Sequence, residues 1–197
     1  MTSYEDLTPL ATQYHLALPD RIRDYLNDRG IPDSVVDRHL LGWNGSRITI
    51  PIPDREGIVR SVKLAKDPED QSLSPKMLAT PGARFELYGW EEILGKPDEI
   101  IVCEGEFDRL VLEAQGLHAV TSTGGAHSFR PDWAEFFHDI PNVYLCFDRD
   151  QAGQRGVDRV ARLIPHAKVI DLPDEVGEGG DVTDFFVSFR QACVRSW

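Results

Sequence analysis

The amino-acid sequence predicts an α/β protein in which a parallel sheet flanked by helices follows a smaller mixed α+β subdomain. From residue 100 onwards, apolar runs of strand length alternate with helical patterns, which is typical of parallel strands joined by crossover helices. Before that point, short helical patterns precede two alternating polar and apolar runs, which predict a β-hairpin. We therefore expect two subdomains, at residues 1–98 and 99–197.

The composition is that of a globular protein with an acidic surface. Of the 197 residues, 41% are hydrophobic and 27% charged, and the formal net charge is -12. This charge argues against binding nucleic acid through bulk positive potential, although residues 44–84 hold seven basic and five acidic residues and leave room for a local basic groove. Neither a signal peptide nor a long apolar run is present, which predicts a cytoplasmic protein without membrane contact.

Cysteine usage and phosphate-binding motifs narrow the function further. Cys103, Cys146 and Cys193 are far apart, and the first two lie inside apolar strand runs, which is typical of buried cysteines. The absence of a CxxC pair predicts that the chain binds no zinc. A GxxxxGK[ST] loop is also absent, which argues against an ATP-driven motor.

The first subdomain is expected to hold two short helices and the hairpin. The helices are predicted from Asp20 to Gly30 and from Asp33 to Leu40, and they could form a DNA-binding unit or merely a packing layer. The hairpin strands are predicted at residues 47–52 and 57–65. Arg60 and Lys63 lie at odd separation on the second strand, so they face opposite sides of it unless a bulge intervenes.

The second subdomain is expected to alternate strands with helices. A loop of small residues at 123–126 could let a phosphate approach the backbone or could be a plain turn. The predicted strands are 100–103, 119–122, 143–147 and 167–172, and the predicted helices are 107–116, 131–138, 152–163 and one that begins near residue 181.

Carboxylates follow these strands at the point where each strand ends. The first apolar run stops at Glu104, Glu106 and Asp108, and the run at 143–147 stops at Asp148 and Asp150. Because carboxyl ends of parallel strands share one edge of a sheet, these acids and Asp181 are expected to meet there. Such a cluster is stable mainly when divalent cations neutralise it, and oxygen ligands favour Mg²⁺ or Mn²⁺. The alternative is that acids such as Asp148 and Asp181 only cap helices.

Two of these motifs resemble those of the TOPRIM domain, which bacterial-type primases, topoisomerases and certain nucleases share. Glu104-Gly105-Glu106-Phe107-Asp108 matches the pattern Glu-Gly-x-x-Asp, and residues 148–153 match Asp-x-Asp-x-x-Gly. The upstream hairpin, the Pro75-Lys76-Met77 segment and the Leu87-Tyr88-Gly89 segment look like the RNA-polymerase domain of DnaG-type and phage-type primases. The resemblance therefore implies a TOPRIM-type, Rossmann-like parallel sheet for the second subdomain and a primase-core role for the first.

By this resemblance, the chain is a DNA primase-like RNA polymerase core that synthesises short RNA primers by two-metal nucleotidyl transfer. Ribonucleoside triphosphates and a single-stranded DNA template would be its substrates, and about two Mg²⁺ or Mn²⁺ ions its cofactors. The resemblance assigns catalysis and metal binding to four acids and metal binding alone to a fifth. The four are Glu104, Asp108, Asp148 and Asp150, and the fifth is Asp181. Glu106 occupies a variable position in the motif and could simply face solvent.

The resemblance assigns nucleotide or template binding to four basic residues of the first subdomain. These residues are Arg60, Lys63, Lys76 and Arg84. Two departures from the family stand out, because the cysteines are too few for the N-terminal zinc-binding module and no helicase sequence follows. The implied partners are therefore a separate replicative helicase and a separate zinc-binding or template-selecting module. A further departure is Thr183, where DnaG-type primases usually carry a second acid, and it leaves the roles of Thr183 and Asp184 open.

Two other functions remain open from the sequence. A metal-dependent TOPRIM nuclease would use the same metals to activate water, but the primase-like upstream half argues against it. A non-catalytic module that binds a replicative helicase is the other alternative, and the intact set of acids argues against it.

Overall fold

The structure, a computed structural model, describes residues 5–195, with side chains for all of these except residue 126 and residues 189–195. The chain divides into two compact units, Met1–Glu86 and Leu87–Trp197. The expected boundary, between residues 98 and 99, lies later in the chain than the observed division between Glu86 and Leu87. The division comes earlier because Leu87 and Tyr88 pair with a strand of the second sheet and so belong to that unit.

The first unit begins with three helices, α1 (Thr8–Leu16), α2 (Asp20–Asp28) and α3 (Asp33–Arg38). The prolines before α2 and α3 have extended backbone and stand where each helix starts, as the sequence predicts. Gly30 follows α2 with φ +90°, a conformation that costs glycine little, and the chain turns there into α3.

Four antiparallel strands form the sheet of the first unit, in the order β1-β2-β3-β4. They are β1 (Gly42–Trp43), β2 (Arg47–Pro53), β3 (Val59–Lys66) and β4 (Met77–Ala79). The predicted hairpin is β2 and β3. Ile52 pairs with Ser61 and Pro53 pairs with Val59, so Arg60 lies at a β-bulge. Helix α1 packs on this sheet, because its buried Ala11 forms one apolar cluster with Val59 and Val62 of β3.

A five-stranded sheet forms the centre of the second unit, in the order β5-β7-β6-β8-β9. Strands β6 to β9 are parallel to one another, and only the edge strand β5 is antiparallel to its neighbour. The strands are β5 (Leu87–Tyr88), β6 (Glu99–Cys103), β7 (Ala119–Ser122), β8 (Asn142–Cys146) and β9 (Lys168–Val169). The helices are α4 (Trp90–Leu94), α5 (Glu106–Ala114), α6 (Gln151–Leu163) and α7 (Val182–Arg195).

Helices cover both faces of this sheet, which confirms the α/β class. On one face, Val102 and Leu145 pack with Val157 and Val160 of α6. On the other face, a separate cluster joins β6 and β8 to α5 and α7. The continuous apolar character of β6 and β8 follows from this burial on both faces.

Two predicted elements of the second unit differ in form. The segment at 131–138 is a 3₁₀ helix, Pro131–Phe137, whose Trp133 and Phe137 are buried in the core, so packing rather than helix propensity sets its geometry. The predicted strand 167–172 is only β9, which pairs with β8 on one side and continues through one hydrogen bond from Ile170 N to Leu145 O. Within residues 5–195, no helix combines the length and apolar character needed to cross a membrane.

Candidate metal centre at the carboxyl edge of the second sheet

The first acidic segment joins β6 to α5 through a close backbone approach. Glu104 follows the last residue of β6, and Gly105 lies just before α5. A Cβ on Gly105 would lie 2.7 Å from Asp108 Oδ2, a distance that side-chain atoms do not tolerate. The glycine of the Glu-Gly-x-x-Asp motif therefore lets the Asp108 carboxylate fold back against the start of its own helix.

The second acidic segment joins β8 to α6 in a similar way. Asp150 caps α6, because its Oδ1 accepts hydrogen bonds of 2.7 Å each from the amides of Ala152 and Gly153. A Cβ on Gly153 would lie 2.1 Å from the carbonyl oxygen of Asp148. The first turn of α6 thus packs directly on the Asp148 backbone, which explains the glycine of the Asp-x-Asp-x-x-Gly motif.

The third acidic segment stands at the start of α7. Asp181 Oδ1 accepts a 2.7 Å hydrogen bond from Asp184 N, and Asp184 Oδ2 accepts one of 3.3 Å from Asp181 N. This reciprocal pair is a capping box, so Asp184 has a structural role at the helix start. Thr183 has a different role, because its amide and hydroxyl donate to Asp108 Oδ1 at 3.2 and 2.7 Å. Thr183 therefore fixes the first motif to α7.

Arg149, the middle residue of the Asp-x-Asp motif, holds the second and third segments together. Its amide donates to Gly180 O at 3.0 Å, and its carbonyl accepts from Gly179 N at 2.9 Å. Its guanidinium donates to Pro173 O at 2.7 Å and to Asp174 Oδ1 at 2.5 Å. These four bonds fix the segment that leads into Asp181 beside the segment that carries Asp148.

The electrostatics show that the five predicted acids converge. Asp148 is half-buried, and its pKa rises to about 8, mainly because of burial and then because of Asp108, Glu104, Asp181 and Asp150. Burial also raises the pKa of Glu104, whose Oε2 accepts a 3.4 Å hydrogen bond from Asp148 N. Four carboxylates from three segments therefore act on one carboxyl group, as the sequence predicts for this sheet edge.

This donor set fits a divalent cation. A cation would offset the repulsion that raises the pKa of Asp148, and all the donors are the carboxylate oxygens that Mg²⁺ and Mn²⁺ prefer. Among the described residues, no three of these acids bring carboxylate oxygens within 4.8 Å of one another. Such spacing suits Mg²⁺, which keeps several waters and takes only one or two protein carboxylates per ion.

Glu106 does not face solvent, and one buried residue was not foreseen. Glu106 is only 6% exposed, because it lies on the buried first turn of α5 rather than facing solvent. Arg109 on the same helix is fully buried, with its guanidinium 2.9 Å from Glu113, in an ion pair with Glu91 and 4.4 Å from the Tyr88 ring centroid. The spacing of Arg109 and Glu113 by four residues was the available sequence signal for this pair.

The glycine-rich loop after β7 forms a turn. Gly125 N donates to Ser122 O at 2.8 Å, and Gly124 N donates to Ser128 Oγ at 3.1 Å. Both glycine amides therefore have acceptors within the loop, which favours the plain turn over a phosphate cradle. His127 from this loop lies close enough to Glu104 for its charge to lower the pKa of that carboxyl group slightly against the effect of burial.

The four predicted basic residues all lie in the first unit. Arg60 Nε lies 2.6 Å from Asp54 Oδ2, and the bulge at Arg60 means that strand alternation does not fix its direction. Lys63 stands on β3 between Ile50 of β2 and Ala79 of β4. Lys76 and Arg84 are exposed on either side of β4. The structure does not test whether these four residues bind nucleic acid.

Arg47 is a basic residue that the sequence analysis did not single out. It donates to Pro75 O at 2.9 Å and to Leu64 O at 3.3 Å, and so fixes the segment that carries Lys76 to β3. The loop before this segment is held by Asp70, which accepts hydrogen bonds from Ser72 and Ser74 that lower its pKa to about 2.

Comparison with known proteins decides the family. Residues 101–186, which span all three acidic segments, match the Toprim-like family. The Gene 57 protein of Mycobacterium phage D29 is 30% identical over 114 residues, which are 58% of this chain and 72% of that protein. The DNA primase of Legionella pneumophila is 31% identical over 197 residues, which cover 84% of this chain and 33% of that protein. This chain belongs to the TOPRIM primase family.

The fold agreement extends over both units of this chain. A crystal structure of the Aquifex aeolicus primase contains its zinc-binding and RNA polymerase domains. Its alignment with this protein covers 98% of this chain and 59% of the Aquifex chain. The TM-score is 0.77 at 23% sequence identity, so the match shows a shared fold. The chain spans about a third of the length of the DNA primases of Aquifex aeolicus and Legionella pneumophila, at 31% and 33%.

Proposed function

We propose that this TOPRIM primase synthesises short RNA primers on single-stranded DNA from ribonucleoside triphosphates. The observation that carries the proposal is the convergence of five acids on the carboxyl edge of the second sheet, which raises the pKa of Asp148 to about 8. That edge lies within a fold shared with primase catalytic cores. The reaction is attack of a primer 3′-hydroxyl on the α-phosphate of the incoming nucleotide, with pyrophosphate as the leaving group.

The acids have separate parts in this proposal. Asp148 and Asp150 would hold the divalent ions, since both side chains open onto the same cavity at the sheet edge. When bound, about two Mg²⁺ or Mn²⁺ ions supply positive charge to the attacking and leaving oxygens. Glu104, whose pKa burial raises, is placed to accept the proton of the 3′-hydroxyl. Asp108 and Asp181 complete the negative charge, and Thr183 orients Asp108.

The basic residues of the first unit would bind the nucleic acid. Lys76 and Arg84 are exposed cations, and Arg60 and Lys63 stand on the neighbouring strand β3. Positive charge is needed in such a chain, because a net charge of -12 otherwise repels a polyanion. A separate helicase and a separate template-selecting module are the proposed partners.

The experiment incubates purified protein with single-stranded DNA, labelled ribonucleotides and Mg²⁺ or Mn²⁺. The test variant is Asp148→Asn, which removes a metal-binding charge without touching the caps of α6 and α7. The matched control is Asp158→Asn, an exposed acid on α6 away from the sheet edge. Template-dependent RNA products are expected from the wild type and the control, with at least a hundredfold loss in Asp148→Asn.

Other outcomes separate the rival functions. Cleavage of the DNA without nucleotides, lost in Asp148→Asn, would identify a nuclease. A protein that neither makes RNA nor cleaves DNA, even with a helicase added, would point to a non-catalytic module and would overturn the proposal.

A further inference from the structure

A cavity of about 470 Å³ opens beside Asp148 and Asp150 in the second unit. It lies between the first two turns of α6, strand β9 and the segment that follows β9. Its volume falls within the range of about 300–1,000 Å³ that is typical of small-molecule sites. The cavity therefore offers room for a ligand next to the proposed metal ions.

The lining of the cavity combines apolar surface with a few polar groups. Phe147, Val157 and Val169 supply the apolar part, and the amide side chains of Gln151 and Gln154 stand on the α6 side. Amides both donate and accept hydrogen bonds, so they can pair with the polar edge of a nucleobase whose flat faces contact apolar groups. The lining thus matches a nucleoside better than a purely ionic ligand.

Asp171 supplies the group that distinguishes one kind of nucleoside from another. Val169 pairs with Leu145 of β8, and Ile170 N continues the ladder by donating to Leu145 O at 2.8 Å. Asp171 follows directly after this extended segment, and both Val169 and Asp171 line the cavity. A carboxylate just after a neighbouring parallel strand is the position from which nucleotide-binding α/β proteins hold ribose hydroxyls.

Asp174 and Glu178 also line the cavity, so a phosphate-bearing ligand needs the divalent ions that Asp148 and Asp150 would hold. Asp148 and Asp150 stand at one end, where divalent ions would hold phosphates. Arg149 also lines the cavity, and two hydrogen bonds to Pro173 O and Asp174 hold its cationic side chain in place. A nucleotide can therefore place its phosphates at the acid edge and its sugar and base in the cavity.

We propose that this cavity binds the nucleoside of a ribonucleoside triphosphate and that Asp171 accepts hydrogen bonds from the ribose hydroxyls. The inference rests on the proposed function only in assuming that phosphates bind at the acid edge. Asp171 then determines specificity, because a deoxyribose lacks the 2′-hydroxyl and leaves part of the carboxylate's hydrogen-bonding capacity unused. The cavity favours ribonucleotides over deoxyribonucleotides before any chemistry occurs.

The test is equilibrium binding of ATP and 2′-deoxyATP to the whole protein with Mg²⁺ and without template, so that no polymerisation takes place. Wild-type protein is expected to bind ATP about tenfold more tightly than 2′-deoxyATP, the effect of losing one hydrogen bond to a charged group. Asp171→Ala is expected to weaken ATP binding about tenfold more than it weakens 2′-deoxyATP binding, because 2′-deoxyATP loses only the hydrogen bond from its 3′-hydroxyl. Asp171→Asn, which keeps the side-chain shape and a neutral acceptor, should bind ATP severalfold more weakly than the wild type does.

The matched control is Glu175→Ala, which removes an exposed acid close to Asp171 in the chain but outside the cavity lining. It is expected to change neither affinity. Equal binding of both nucleotides by the wild type, equal weakening of both by the two Asp171 variants, or no binding of either nucleotide would overturn the inference. Thermal melting shows whether each variant is folded. If Asp171→Ala does not fold, the binding data of Asp171→Asn decide the test.

The outcome is separable from that of the proposed function. Primer synthesis that persists with an unchanged ribonucleotide preference in the Asp171 variants would keep the function and reject the cavity assignment. An Asp171-dependent preference for ATP in a protein that makes no primers would do the reverse.

Discussion

The carboxyl edge of the second sheet and the hairpin region of the first unit build their charged surfaces in different ways. At the sheet edge, backbone contacts fix the acids, since Gly105 and Gly153 allow approaches that a Cβ would block and Asp150 and Asp181 cap helices. In the first unit, Lys76 and Arg84 reach into solvent from short segments beside β4. The acid site is therefore a property of backbone geometry, whereas the basic surface depends on individual side chains. Substitutions should have large, cooperative effects at the first and small, incremental effects at the second.

The largest expected effect comes from Gly153→Ala. Its Cβ would lie 2.1 Å from Asp148 O, and because a backbone oxygen cannot rotate away, α6 and the Asp148 segment must move apart. We expect a free energy of unfolding lowered by about 3 kcal/mol and a loss of primer synthesis. The control is Gly95→Ala, whose added Cβ would lie 3.3 Å from Glu92 O at the end of α4. Chemical denaturation and primer assays of both variants measure the difference, and equal effects would break the contrast between the two regions.

The effect of intermediate size is a pH dependence of the free energy of unfolding that arises from Asp148. The pKa of this carboxyl group is about 8 in the folded chain and close to its model-peptide value of 3.8 when unfolded. The folded state therefore binds more protons between these two values, so the free energy of unfolding without metal should fall as pH rises from about 4 to about 8. Thermal melting in EDTA across this range measures the slope.

Two comparisons make the pH experiment specific. Asp148→Asn should flatten the slope, since the amide does not ionise, and it should be the more stable protein at pH 8 in EDTA. Adding Mg²⁺ to the wild type should restore stability at pH 8, because the cation favours the ionised carboxylate. A slope that survives in Asp148→Asn would assign the pH dependence to other groups.

The smallest expected effect belongs to the first unit. Lys76→Ala should weaken binding of single-stranded DNA severalfold and reduce the slope of log K against log salt by about 0.7, the value for one phosphate contact on a single strand. Lys96→Ala is the control, because Lys96 is an exposed lysine of the second unit that pairs with Asp139 at 3.4 Å. Fluorescence anisotropy over a salt series measures both slopes. A slope unchanged in Lys76→Ala would remove this residue from the template surface.

The two regions also differ in how far sequence reasoning reached. The acids at 104, 108, 148, 150 and 181 could be predicted together, because strand ends, glycines and helix starts are local signals that topology then brings to one edge. The burial of Arg109 could not, since it depends on contacts with Tyr88 and Glu91, which are distant in sequence. The bulge at Arg60 could not be predicted for a similar reason, because it depends on the pairing register between β2 and β3.

Short helices and strands also could not be predicted from the sequence. Strand β5 and helix α4 span only two and five residues, too few to show periodicity, and this placed the expected boundary after them. Thr183 was noted only as a departure from the family pattern. Its hydrogen bonds to Asp108 show that Thr183 orients the carboxylate of the first motif.

The backbone bridge between Arg149 and residues 179–180 couples motions that are usually considered separately. Asp174 and Glu178 form part of one wall of the nucleotide-sized cavity, and the chain runs on from Glu178 through Gly179 and Gly180 into Asp181. Outward swinging of this wall must break the bridge, so it also displaces Asp181 from the acid edge. Admission of a large ligand and loosening of the cation site thus become a single opening event. The amide protons of Arg149 and Gly179 should report that event by exchanging with solvent at a common rate.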